Sequence, residues 1–224
     1  MIANKEDIEH AVNKKEIYRY LGYGSEEPDA SIRALVEQVL LAILHAMEPK
    51  CIYQLYPCKT DGGSVFLGNM EFQSRNLAGN LAQCGVAALM AATLGIETDK
   101  LLQKYEVLNM AKASIAQACG AACIETYCNL VQEKIRLDAQ ERNGQTLFIR
   151  PRFSPGYGDL PIEAQKKIFA ALDCTKRIGL TLTQSLLMVP TKSVTAFIGF
   201  TSNSENCHIE KCKICAKEDC QYRI

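Results

Sequence analysis

Arg150-Pro151-Arg152-Phe153-Ser154-Pro155-Gly156-Tyr157-Gly158-Asp159-Leu160-Pro161 is the stretch on which the reading of this chain turns. A β-type run, Leu147 to Phe153, leads into it, and a helix with Pro161 in its first turn is expected to lead out. Gly156 and Gly158 can take φ > 0 and allow a ligand close to the backbone. Pro155 and Pro161 lower the entropy of the loop in its working shape. Two arginines stand beside the turn and a tyrosine stands in it. Arginine offers a planar, permanently charged fork that matches a carboxylate or phosphate. The stretch therefore reads either as a small-anion or zwitterion site at a strand-to-helix turn, or as a structural turn with solvated arginines.

Working outward, the helix after the turn should run from Pro161 to Arg177, with Ile162, Phe169 and Leu172 on one side and Gly179 as its stop. Thr183 to Met188 is short and of open type. Ser193 to Phe200, rich in Val, Thr, Ile and Phe, reads as a strand. Upstream, Asn13 and Glu16 match a capping box that opens a short helix through Tyr20, ended by Gly22. Ile32, Leu35, Val36, Val39, Leu40, Ile43, Leu44 and Met47 recur at helical spacing and predict an amphipathic helix. Strands are expected at Cys51–Tyr56 and Ser64–Leu67 around the turn Asp61-Gly62-Gly63, with Asn69–Phe72 extending the pairing. Leu77 to Leu94, small and apolar, reads as a closely packed helix ending at Gly95. Thr98 should cap a helical stretch reaching about Glu141, too long for one globular helix and therefore expected to break near Leu108–Ala111. Within it, residues 113–132 carry a single charge, Glu125. A carboxylate among Ala, Cys, Ile and Tyr must reach an arginine or a bound cation, stay protonated, or face solvent.

Composition bounds the remaining possibilities. At 224 residues the chain can bury a sizeable core without disulfides. Its 25 basic and 25 acidic residues give no electrostatic argument for nucleic acid or an anionic membrane. The N-terminus is polar and charged, unlike a secretory signal, and the longest uncharged apolar stretch, about Gly85 to Ile96, is too short to span a bilayer. Eleven cysteines in that setting imply reduced thiols, metal ligands or core residues. The expectation is a cytoplasmic protein. Cys207, Cys212, Cys215 and Cys220 form C-x4-C-x2-C-x4-C, which suits a tetrahedral zinc site or an iron–sulfur cluster, or else a reduced tail. His208 beside Cys207 is an awkward fifth candidate. Phosphate-loop, zinc-protease, nucleophile-elbow and dinucleotide motifs are missing. Three histidines, His10, His45 and His208, form no catalytic constellation, so a self-contained hydrolase is not expected.

Three runs carry a resemblance: Arg152 through Pro161, Ile178-Gly179-Leu180-Thr181-Leu182-Thr183, and Met188-Val189-Pro190-Thr191-Lys192-Ser193-Val194. Together they resemble the activation domain of cobalamin-dependent methionine synthase, over about Leu77 to Phe200. Tyr18-Arg19-Tyr20-Leu21-Gly22-Tyr23 is similar to the short, stand-alone members of that family. The resemblance implies an α+β, helmet-shaped domain with a twisted antiparallel sheet flanked by helices. It would span residues 1–202, with a helical arm over 1–30 and a Cys-rich tail over 203–224. It implies S-adenosylmethionine as ligand and cobalamin supplied by a partner, since no cobalamin-binding D-x-H-x-x-G is present. That partner would be methionine synthase or another corrinoid protein, with flavodoxin or ferredoxin as electron donor.

Carried over by position, the family pattern R-x-x-x-G-Y falls on Arg152, Gly156 and Tyr157, with Ser154 at a small-residue position. Glu125 lies on a helix that carries a family carboxylate near the ligand. Two departures stand out: neither the family's tyrosine after the last strand nor its N-terminal aspartate can be placed here. The implied role is reactivation, in which an electron and the methyl of S-adenosylmethionine restore methylcobalamin. The alternative is a docking or chaperone subunit of a corrinoid methyltransferase that has lost the donor.

Overall fold

The computed structural model describes residues 3–24, 26–204 and 207. Three helices, α1 (Lys5–Ala11), α2 (Lys14–Tyr20) and α3 (Ala30–Ala46), precede a meander of β1 (Lys50–Asp61), β2 (Ser64–Leu67) and β3 (Met70–Gln73). The short α4 (Arg75–Asn80) leads to β4 (Val86–Thr93), and α5 (Ile96–Leu108) and α6 (Met110–Asn143) lead to β5 (Phe148–Ile149). After the loop come α7 (Ala164–Leu172), α8 (Cys174–Ile178), the small pair β6 (Thr181–Leu182) and β7 (Met188–Val189), and finally β8 (Ser193–Thr201). Six strands form one antiparallel sheet in the order β3-β2-β1-β4-β8-β5. The expected α+β class with an antiparallel sheet is what the chain adopts.

The chief correction falls at the centre. Leu77 to Leu94 is not one helix: α4 stops at Asn80, and Val86–Thr93 is the middle strand, paired along its length with β1 on one side and β8 on the other. Ala87, Leu89 and Ala91 enter one core, and Ala88, Met90 and Ala92 enter the opposite one; all six are fully buried. A strand covered on both faces loses its alternation and reads as a continuous apolar run, which periodicity cannot tell from a buried helix. Its alanines admit helices closely from both sides.

The first core lies between the sheet and α6, together with α1, α2, α3 and α5. Ile8 and Ile17 are fully buried in it, so the helical arm contributes to the packing. The predicted break between α5 and α6 occurs at Asn109. Its N–H bonds the Tyr105 carbonyl at 2.8 Å, closing α5, and its side chain accepts from Lys112 N–H at 3.0 Å, opening α6. Gly95, not Thr98, stands at the N-cap of α5, and the Thr98 hydroxyl instead bonds the Leu94 carbonyl at 3.2 Å. Asn13 caps α2 as expected by accepting from Lys15 N–H, but Glu16 turns to Arg19 instead of completing a box.

The second core, on the opposite face, is closed by α4, α7, α8 and the β2–β3 hairpin. The helix expected from Pro161 begins at Ala164, because the preceding residues form a tighter turn with i→i−3 bonds at Ala164 and Gln165. It is divided by Asp173, at φ 52°, into α7 and α8. The β-type run before the loop shortens to Phe148–Ile149, and Phe153 rejoins the sheet alone, exchanging backbone bonds of 3.0 and 2.7 Å with Phe197.

Crowding around β4 should make it intolerant of added volume. Ala91→Leu is expected to lower unfolding free energy by about 1–3 kcal/mol, the usual cost of overpacking. Urea denaturation checks this, with the midpoint shifting and the slope unchanged.

Candidate functional site

The turn from Arg152 to Pro161 is tied down at both ends. At the first, Phe153 pairs with β8 as described. At the second, the Asp159 carboxylate accepts from the Ser74 hydroxyl, from Arg75 N–H at 2.8 Å and from Asn76 N–H at 3.1 Å. These bonds, the Ser74 hydroxyl foremost, hold the Asp159 carboxyl below its ordinary range. Between the anchors, Gly156 N–H bonds the Leu160 carbonyl at 2.9 Å and Tyr157 N–H bonds the Ser154 carbonyl at 3.2 Å. Gly156 at φ 89° and Gly158 at φ 54° occupy the left-handed region, and a Cβ on Gly158 would come within 2.9 Å of Asn76 Cγ. The sequence folds here into a fixed turn that presents Tyr157 to solvent, 64% exposed.

The two arginines have different duties. Arg150 is buried beside Gly199 and donates to the Ala82 carbonyl at 3.2 Å and to Cys84, which places it in the wall of the fold. Arg152 reaches across to α6. Its Nη2 meets Glu125 Oε2 at 2.6 Å, and its Nη1 meets Asn129 Oδ1 and Gln132 Oε1, each at 2.7 Å. Positions 125, 129 and 132 lie on one face of α6, so a single helical stripe supplies all three acceptors. An arginine only donates, so both amides must turn their oxygens inward. The carboxylate embedded in the apolar part of α6 therefore has its arginine partner. Arg152 is largely covered and Glu125 about half-exposed, so the pair contributes little to stability, about 1 kcal/mol or less.

Arg152 stands at one end of a cleft of about 500 Å³ between α6 and the outer edge of β5. Asn129, Gln132, Glu133 and Arg136 line its helical side, and residues 146–152 line the other, with Cys207 beside them. A cleft of this size suits a small-molecule ligand. Of the predicted residues, Arg152 lines the cleft and Glu125 binds it from α6. Ser154, Gly156 and Tyr157 lie along the turn beyond Arg152 and do not enter the wall of the cleft. Asn129 and Gln132 escaped the sequence reading, although their spacing from Glu125, four and seven residues on, was visible in it.

Cys212, Cys215 and Cys220 lie outside the described residues, as does His208. Among the described residues no group of three or more His, Cys, Asp or Glu side chains is arranged to hold a metal ion, and no helix is long and apolar enough to cross a membrane. The inner cysteines are core residues. Burial pushes the Cys58, Cys119, Cys123 and Cys128 thiols up to about 12 and those of Cys84 and Cys174 up to about 11.

A six-stranded antiparallel sheet with helices packed on both faces defines the chain as an α+β domain. The fold is similar to that in the crystal structure of the MetH reactivation domain bound to AdoHcy, with a TM-score of 0.66 at 16% identity, covering 91% of this chain and 78% of that one. The family model described as vitamin B12-dependent methionine synthase, activation domain, matches residues 79–223, and the chain belongs to that family. The matched span takes in the Cys-rich tail. No curated protein matches the chain.

The buried thiols should be inert in the native state, because the thiolate is the reactive form. With site-resolved alkylation at pH 8, Cys58, Cys84, Cys119, Cys123, Cys128 and Cys174 are expected to label only on unfolding.

Proposed function

We propose that this protein is an S-adenosylmethionine-binding reactivation factor that supports reductive methylation of cob(II)alamin on a partner methionine synthase or other corrinoid protein. The observation that carries the reading is the Arg152–Glu125 pair, with Arg152 in the wall of the cleft, in a chain of the activation-domain family. The donor's α-carboxylate is a natural partner for Arg152 and its ammonium for Glu125, so a zwitterion can replace the internal pair by two external ones. The turn from Ser154 to Tyr157 would meet the adenosine end through its backbone, and exposed Tyr157 would face the partner.

The partner's corrinoid supplies the chemistry: one electron, from flavodoxin or ferredoxin, gives Co(I), whose electron pair takes the methyl from the sulfonium and leaves the neutral thioether S-adenosylhomocysteine. The residues of this chain hold the donor, orient its methyl and exclude water. No side chain needs to move a proton, and among the described residues no histidine lines the cleft. Cys207, Cys212, Cys215 and Cys220 are proposed to hold zinc or an iron–sulfur cluster, and metal analysis of the purified protein distinguishes the two from a bare tail. The protein is proposed to act in the cytoplasm, with no nucleic acid or membrane partner.

A second reading draws on the same pair. Arg152 already has three acceptors within the chain, as it would in a docking or chaperone subunit that no longer binds the donor. Calorimetric titration of the reduced protein with S-adenosylmethionine separates the two. Stoichiometric binding, weakened by about 2–4 kcal/mol in Arg152→Ala, is expected of the reactivation factor, since removing one partner of a covered charge pair has that effect. Wild type without heat, confirmed by equilibrium dialysis, supports the docking subunit.

A further inference from the structure

Arg152 carries five N–H donors in a rigid plane. Both hydrogens of Nη1 are engaged, one by Asn129 Oδ1 and one by Gln132 Oε1, and one hydrogen of Nη2 is engaged by Glu125. Among the described residues, nothing meets Nε–H or the second Nη2 hydrogen. The two amides come from adjacent turns of α6, whose backbone is fixed by burial of Tyr127 and Val131 on the opposite side. They add no charge to the site. What they do is fix the direction in which the guanidinium fork opens.

We propose that Asn129 and Gln132 are positioning residues for Arg152, leaving only its Nε–Nη2 edge for a ligand carboxylate and so setting both the binding register and the preference for ligands that keep an α-carboxylate. This rests on the reading of the cleft as a site for S-adenosylmethionine. The open edge includes Nη2, the nitrogen that Glu125 also holds. A carboxylate docked there lies next to Glu125, and the ammonium on the neighbouring carbon falls within its reach. With the amides gone, the fork can rotate, Nη1 becomes an equal competitor for the carboxylate, and the two charges of the ligand no longer find their partners together. A role in packing alone would treat all ligands of the cleft alike; a positioning role acts only on those with a carboxylate.

The test uses the full chain, with Asn129→Leu/Gln132→Met removing the acceptors at nearly constant volume. Gln132→Met alone serves as a milder variant should the double one fold poorly. Two readouts are needed. Nitrogen-15 NMR of the arginine side chains, without ligand, is expected to resolve the Arg152 Nη1 and Nη2 signals in the wild type and to average them in the variant, as rotation about the Cζ–N bonds is freed. Calorimetry is then run with S-adenosylmethionine and with its decarboxylated analogue. Affinity for the first should fall by about tenfold or more, the scale of a site held too loosely, with affinity for the second unchanged. Arg152 signals that stay resolved in the variant, or equal losses for both ligands, overturn the proposal. Wild type that binds neither ligand overturns the donor-site reading instead, and the NMR comparison still decides whether the amides hold the arginine.

Discussion

Burial of β4 on both faces is the constraint from which the rest of this structure follows. A strand with water on neither side must pair every backbone N–H and C=O laterally, because an unpaired buried amide is expensive. That requires full-length neighbours on both edges, and β1 and β8 provide them. It also requires two separate covers, and the helices divide accordingly, with α6 and the N-terminal helices on one face and α4, α7 and α8 on the other. The small side chains of β4 keep both covers close to the sheet.

The site is a consequence of that arrangement. Because α6 lies along the sheet and β5 pairs only with the far edge of β8, a cleft opens between the helix and the outermost strand. Arg152 leaves the sheet at that point and crosses to the helix, and the turn after it is clamped to β8 by Phe153 and to α4 by Asp159. The loop is thus held by three regular elements at once, which fixes its geometry. Polar chemistry concentrates on the surface stripe of α6, whereas its buried faces carry small residues and thiols that burial keeps protonated.

Much of this was legible in the chain. The loop, the break in the long helical stretch, the meander and the last strand all announce themselves through turn residues, capping residues or β-branched runs, and those signals act over a few residues. The reading failed where the deciding contacts lie far apart in sequence. Leu77–Leu94 looked helical because nothing local reveals that strands from Lys50 and Ser193 arrive on its two edges. The length of the helix after Pro161 failed for a smaller reason, the left-handed Asp173 that a local pattern does not announce.

The same division holds at the site. By itself the sequence determined that a rigid, glycine-bearing turn flanked by arginines follows a strand, and that one carboxylate stands alone in an apolar helix, since both are facts of local composition. Which arginine reaches across to α6, that Glu125 is its partner, and that Asn129 and Gln132 also accept from it were decided only by the tertiary structure. The physical reason is separation: Arg152 and its three acceptors are 20 to 27 positions apart in the chain, and only the packing of α6 across the sheet brings a guanidinium and its acceptors within hydrogen-bond distance.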